Sequence, residues 1–130
     1  MDTGGNAGSQ ASTVVIRSLV LGEIEIKDIL KVVWKEARIA SISGVLLAFV
    51  NFIRVYFIQG YSLAISLTVS ITIVLTIVVA KVVGGMLPII AQKLKLDPAM
   101  MASPLITTIV DTTTLAIYFT LAVWIIGITV

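Results

Sequence analysis

Asp111 is the one charged side chain in PLITTIVDTTTLAIYF, residues 104–119, a run otherwise made of apolar and hydroxyl residues. Ser103, Thr107, Asp111, Thr114 and Tyr118 recur at spacings of four, four, three and four. On a helix they form a single polar stripe, with Ile106, Ile109, Val110, Leu115 and Ile117 covering much of the remainder. A carboxylate at mid-membrane costs at least about 2.5 kcal/mol, so it marks a functional site by default. The hydroxyls can hydrogen-bond but cannot neutralise it, and a positive partner or a proton is required. Lys81 lies 16 residues before Asp97 and Asp111 14 residues after it. An antiparallel hairpin turning near residues 93–97 therefore puts the two at similar depth, about 20 Å from the turn. A Lys81–Asp111 pair, a protonated Asp111 and a permeating cation are the three readings that spacing leaves open.

The chemistry narrows the third reading. One carboxylate with hydroxyls and backbone carbonyls is an all-oxygen environment suited to hard ions, and the chain has no histidine or cysteine for softer metals. A divalent ion normally requires more than one carboxylate. A two-fold axis beside the last helix would supply a second copy of Asp111. Mg²⁺ sheds water reluctantly, so two carboxylates could hold it through its hydration shell.

The elements that must position this stripe are membrane helices. Of the 130 residues 58% are hydrophobic and 12% charged, with a mean hydropathy of +1.13, well outside the range of soluble domains. Full spans are expected over 38–57, 62–91 and 98–129, each long enough for the roughly 20 residues a crossing needs and too long for barrel strands. Before them, residues 11–21 are apolar but too short to cross alone. The glycines of GGNAGSQ are expected to open a tight non-helical turn, with Asn6, Ser9 and Gln10 capping the helix that follows. Residues 25–37 read as an interfacial amphipathic helix: Ile26, Ile29, Leu30, Val33, Trp34 and Ala37 share helical spacing, while Lys27, Asp28, Lys31 and Lys35 fall mostly opposite. Glu23, Glu25 and Glu36 read as solvated there. Pro88 should bend the second full span, and Asp97 with Pro98 should start the third.

Lys27, Lys31, Lys35 and Arg38 precede the first full span and Lys93 and Lys95 follow the second, against Arg54 alone on the opposite side. The amphipathic segment and the 92–97 turn are thus expected in the cytoplasm and the C-terminus outside. The net charge of +2 gives no support to nucleic-acid binding, because the basic residues flank hydrophobic runs. No catalytic constellation exists without a histidine base, GGNAGSQ lacks the GKS/T ending of a phosphate loop, and MDTGGNAGSQ lacks the regions of a secretory signal.

Three stretches, GGNAGSQASTVVIRSLVLGEI, VVGGMLPIIAQKLKLDPAMMASP and LITTIVDTTTLAIYF, resemble in order and spacing the membrane domain of the MgtE family of magnesium channels. The resemblance covers nearly the whole chain. It implies a homodimer of five-span subunits in the plasma membrane, carrying Mg²⁺ along the dimer axis between second and fifth spans. By position, Asp111 looks like the acid that binds the hydrated ion. Gly5, Asn6, Ala7 and Gly8 look like pore-facing residues of the second span, with Ala99, Thr107 and Thr114 as further candidate pore-lining positions. Residues 1–22 would then be the end of a truncated second span. The all-α membrane fold would be the carboxy-terminal part of the channel domain, without the earlier spans and the cytoplasmic domains that sense magnesium and gate the pore. At Lys81 the family pattern more often has a neutral asparagine. The alternative to transport is a non-conducting scaffold or assembly subunit held by a Lys81–Asp111 pair.

Overall fold

A computed structural model describes residues 2–101 and 104–127; Ser103 and the end of the expected last span lie outside them. Four α-helices carry the fold: α1 (Asp2–Val20), α2 (Ile29–Ile53), α3 (Leu63–Lys93) and α4 (Pro104–Ile126). There is no strand among the described residues. Among the described residues three helical segments, Ile26–Ile58, Leu63–Lys93 and Pro104–Ile126, are long and apolar enough to cross a membrane. Their outward faces carry Leu46, Phe49, Val50, Phe57 and Trp124, all largely exposed, as contact with hydrocarbon would require.

The ends of these helices follow from local chemistry. Ser62 caps α3, its hydroxyl accepting from the Ile65 N–H at 3.3 Å. Pro88 lies inside α3, which stays helical to Lys93. Asp97 accepts from the Ala99 N–H at 3.0 Å and starts the short 3₁₀ turn Pro98–Met101. At the end of α1, Glu23 N–H donates to the Ser18 carbonyl at 2.9 Å and Gly22 N–H to Leu19 at 3.2 Å, with Gly22 at φ 72°. The same 6→1 and 5→2 pattern ends α3, from Leu96 to Ala91 at 2.8 Å and from Lys95 to Gln92 at 3.0 Å. There the left-handed position falls on Lys95, at φ 58°, where a side chain is strained. Lys95→Gly should therefore raise stability by about 0.5–1 kcal/mol, measured as a higher midpoint of thermal unfolding in micelles.

Two expectations change. GGNAGSQ is not a turn: α1 is helical from Asp2, so Asn6, Ser9 and Gln10 lie along its length rather than cap it. The glycines serve close packing instead. A Cβ on Gly8 would lie 2.7 Å from Ile106 Cγ2 and 3.0 Å from the Ala80 carbonyl oxygen, and one on Gly4 2.7 Å from Thr76 Cγ2. Between membrane helices, where lipid is as apolar as leucine, such close backbone approach is a principal source of association. The segment 25–37 is likewise no separate helix: after a 3₁₀ turn, Ile26–Asp28, it continues as α2 from Ile29 to Ile53, through the expected span 38–57, before a π turn, Arg54–Ile58.

Helix α3 is the central element. It packs against α1, α2 and α4, and α1 also lies against α4. Ala80, Ile106 and Val110 form one buried cluster where α1, α3 and α4 meet, with Ala7 and Leu87 against it. Val15, Leu19, Val32 and Ile89 form a second where α1, α2 and α3 meet. The buried face of α2 is Val32, Glu36, Ala40, Gly44 and Ala48, a mostly small-residue row at spacings of four.

Candidate cation site

Asp111 sits on α4 one turn after Thr107 and just under one turn before Thr114. That stretch of α4 is where α1 docks. A Cβ on Gly5 would lie 3.4 Å from Thr107 Cγ2, and one on Gly4 2.9 Å from Val110 Cγ1 and 3.7 Å from Thr114 Oγ1. The glycine face of α1 therefore meets residues that bracket Asp111 in sequence. Asp111 itself is half-buried, and among the described residues its carboxylate has neither an ion-pair partner nor a hydrogen-bond donor. No group of three or more metal-ligating side chains occurs among those residues, and Asp111 is the one acid of α4.

The remaining expected site residues divide by face. Gly5 and Gly8 are buried, and Ala7 packs against the Ala80–Ile106–Val110 cluster. Asn6 is exposed on the outer face of α1, where it lines a shallow depression with Ser9, Gln10, Thr13 and Val14. Thr107 is half-buried; Thr114 is buried, and its hydroxyl donates to the Val110 carbonyl at 2.7 Å. Ala99 is exposed in the turn before α4. A capping role for Asn6, Ser9 and Gln10 leaves out the polar row that they form with Thr13. Its spacing of three, one and three is the signature of one helix face and could have revealed it.

Lys81 does not pair with Asp111. Its Nζ lies 4.0 Å from Glu36 Oε2, with the two side chains 15% and 6% exposed. The reason is helical geometry: Ala80 points into the α1–α4 side of α3, and the next residue is turned by about 100°. Glu36 is accordingly buried on α2, rather than solvated at a charged surface. Gly85 makes room for it, since a Cβ there would lie 3.2 Å from Glu36 Cγ. A scaffold held together by a Lys81–Asp111 bond has no such bond in this structure.

The family model described as a divalent cation transporter, MgtE, matches residues 1–121. The magnesium transporter MgtE of Thermus thermophilus is 35% identical over 122 residues, covering 94% of this chain and 27% of that protein. The magnesium transporter MgtE of Bacillus subtilis is 38% identical over 122 residues, covering 91% of this chain and 26% of that protein. This chain thus spans about a quarter of the length of these relatives. A three-span apolar helical fold and a match along almost the whole sequence agree, and the chain belongs to the MgtE family of divalent cation transporters.

Proposed function

We propose that this chain forms one wall of a Mg²⁺ pathway across the plasma membrane and that Asp111 holds the hydrated ion. The observation that carries the reading is the state of Asp111: half-buried beside the α1–α4 contact, with no fixed cation, since Lys81 is engaged by Glu36. A mobile cation is then the charge partner that the site calls for. Because α4 offers one carboxylate per chain, the pathway lies on a two-fold axis where a second copy contributes its own Asp111, and the ion keeps its inner waters. The polar outer face of α1, Asn6, Ser9, Gln10 and Thr13, supports the same geometry, being costly against lipid and favourable against water or a second subunit. In this reading the basic segments before α2 and after α3 face the cytoplasm, and the working channel includes regions present in the longer relatives.

The test is a Mg²⁺ titration of the chain in micelles, followed by residue-resolved spectral shifts, in a sample shown to be dimeric. Resonances around Asp111 should move in the millimolar range, and Asp111→Asn should abolish the movement while leaving helicity unchanged. Parent shifts that stay fixed around Asp111 in that dimer would remove the ion from this site.

A further inference from the structure

At the end of the bundle nearer the α2–α3 loop, a cavity of about 370 Å³ opens between the four helices, lined among others by Thr3, Asn51, Arg54, Thr76, Thr114 and Tyr118. It shares Thr3, Asn51, Arg54 and Ile73 with a second recess of about 230 Å³ that adds Leu47 and Val50. Leu47 and Val50 are exposed on the outer surface of α2, so the two recesses form one groove running from a polar pocket to the lipid-facing side. Its polar end is short of partners. Buried Asn51 Nδ2 and Thr76 Oγ1 have no hydrogen-bond partner, and Thr76 is only 5% exposed. Arg54 donates one bond, from Nη2 to Asn51 Oδ1 at 3.0 Å, and makes no ion pair among the described residues.

We infer that this groove binds a membrane phospholipid, with the phosphate on Arg54 and Asn51 and an acyl chain along Leu47, Val50 and Ile73. A guanidinium presents five N–H donors in a planar fork matched to phosphate oxygens, and one bond to Asn51 leaves most of them available. That bond fixes the Asn51 amide so that Nδ2, the orphan donor, belongs to the same polar end. Thr76 and Tyr118 add hydroxyls that can donate to further oxygens of the headgroup or its ester. The depth is suitable as well: Arg54 opens the π turn Arg54–Ile58, within about two helical turns of the 59–62 connection, where long basic side chains reach the headgroup region. A free phosphate would satisfy Arg54 but leave the apolar half of the groove without an occupant. A diester carrying a hydrocarbon tail matches both halves.

The experiment reconstitutes the full chain in nanodiscs of phosphatidylglycerol and phosphatidylcholine and counts retained phospholipids by native mass spectrometry after release into detergent. One phospholipid per chain should survive release, and Arg54→Gln should reduce its retention by about tenfold, as expected for loss of charge-assisted hydrogen bonds. Thr76→Val, which keeps the volume and removes the hydroxyl, should weaken retention without unfolding and covers the case in which Arg54→Gln folds poorly. Added inorganic phosphate should not displace the lipid. Equal retention in parent and both folded variants would overturn the assignment. So would equal retention of diacylglycerol, which lacks the phosphate, or displacement by inorganic phosphate. A photo-cross-linker at position 50 should capture lipid; capture of a polypeptide there would assign the groove to a protein segment instead.

Discussion

Gly84→Ala should separate α1 from α3 and destabilise the helical bundle by about 2–3 kcal/mol, near the upper end of ordinary overpacking costs. A Cβ at Gly84 would overlap the backbone of Gly8, touching its carbonyl and Cα rather than a side chain that could rotate aside. The two helices must then move as bodies, and the contact they lose is the one that seats α1 against both α3 and α4. Gly85→Ala is the control next door. Its new methyl would meet Val32 Cγ1 at 3.3 Å and Glu36 Cγ at 3.2 Å, which are side-chain atoms able to shift by a few tenths of an ångström. Thermal unfolding in micelles should rank the two clearly, with Gly84→Ala the worse. Because Gly4 and Gly5 lie beside the α4 residues flanking Asp111, Gly84→Ala should also weaken Mg²⁺-dependent shifts there, although residue 84 lies on a different helix. Equal stability of the two variants would mean that α1 does not sit on α3 as described.

Lys81→Met should cost about 3 kcal/mol by leaving Glu36 buried without its cation, toward the lower end of what breaking a buried pair removes. The lower end applies because the Nζ–Oε2 separation is 4.0 Å and Lys81 retains 15% side-chain exposure. Combining Lys81→Met with Glu36→Gln should recover most of the loss, since taking away both charges also takes away both desolvation penalties. A double-mutant cycle on unfolding free energies measures the coupling directly. The same cycle run between Lys81 and Asp111 should give no coupling beyond the additive range of about 0.3–0.5 kcal/mol. Strong coupling to Asp111 with none to Glu36 would reverse the assignment and restore a fixed partner for the acid of α4.

The two expected outcomes have a common physical origin. In lipid, large apolar residues are as comfortable outside the bundle as within it, so small residues and buried polar groups decide which helix faces meet. On α2 the exposed face carries Leu30, Trp34, Leu46 and Phe49, and the buried row is Val32, Glu36, Ala40, Gly44 and Ala48. On α3 the buried set includes Ser66, Thr68, Ser70, Thr72 and Thr76, several of whose hydroxyls return to the preceding turn, as Thr72 does to the Thr68 carbonyl at 2.7 Å. Hydrophobic periodicity, which finds the core of a soluble helix, carries little information about orientation in such a chain.

From the sequence alone came the number of apolar spans, Asp97 as a turn or start signal, and the isolation of Asp111 on a hydroxyl-rich helix. These rest on run length, composition and i, i+3, i+4 spacing, all of which are local. Tertiary structure alone decided that Glu36 is buried and that Lys81 turns toward it and away from Asp111, and it put helix where local composition suggested a turn at GGNAGSQ. Equal depth in a hairpin made Lys81 and Asp111 look like partners, but depth is only one coordinate. The azimuth of a side chain about its helix depends on how closely neighbouring backbones approach. Here glycines 8 and 84 set that approach, through a contact between residues 76 positions apart in the chain.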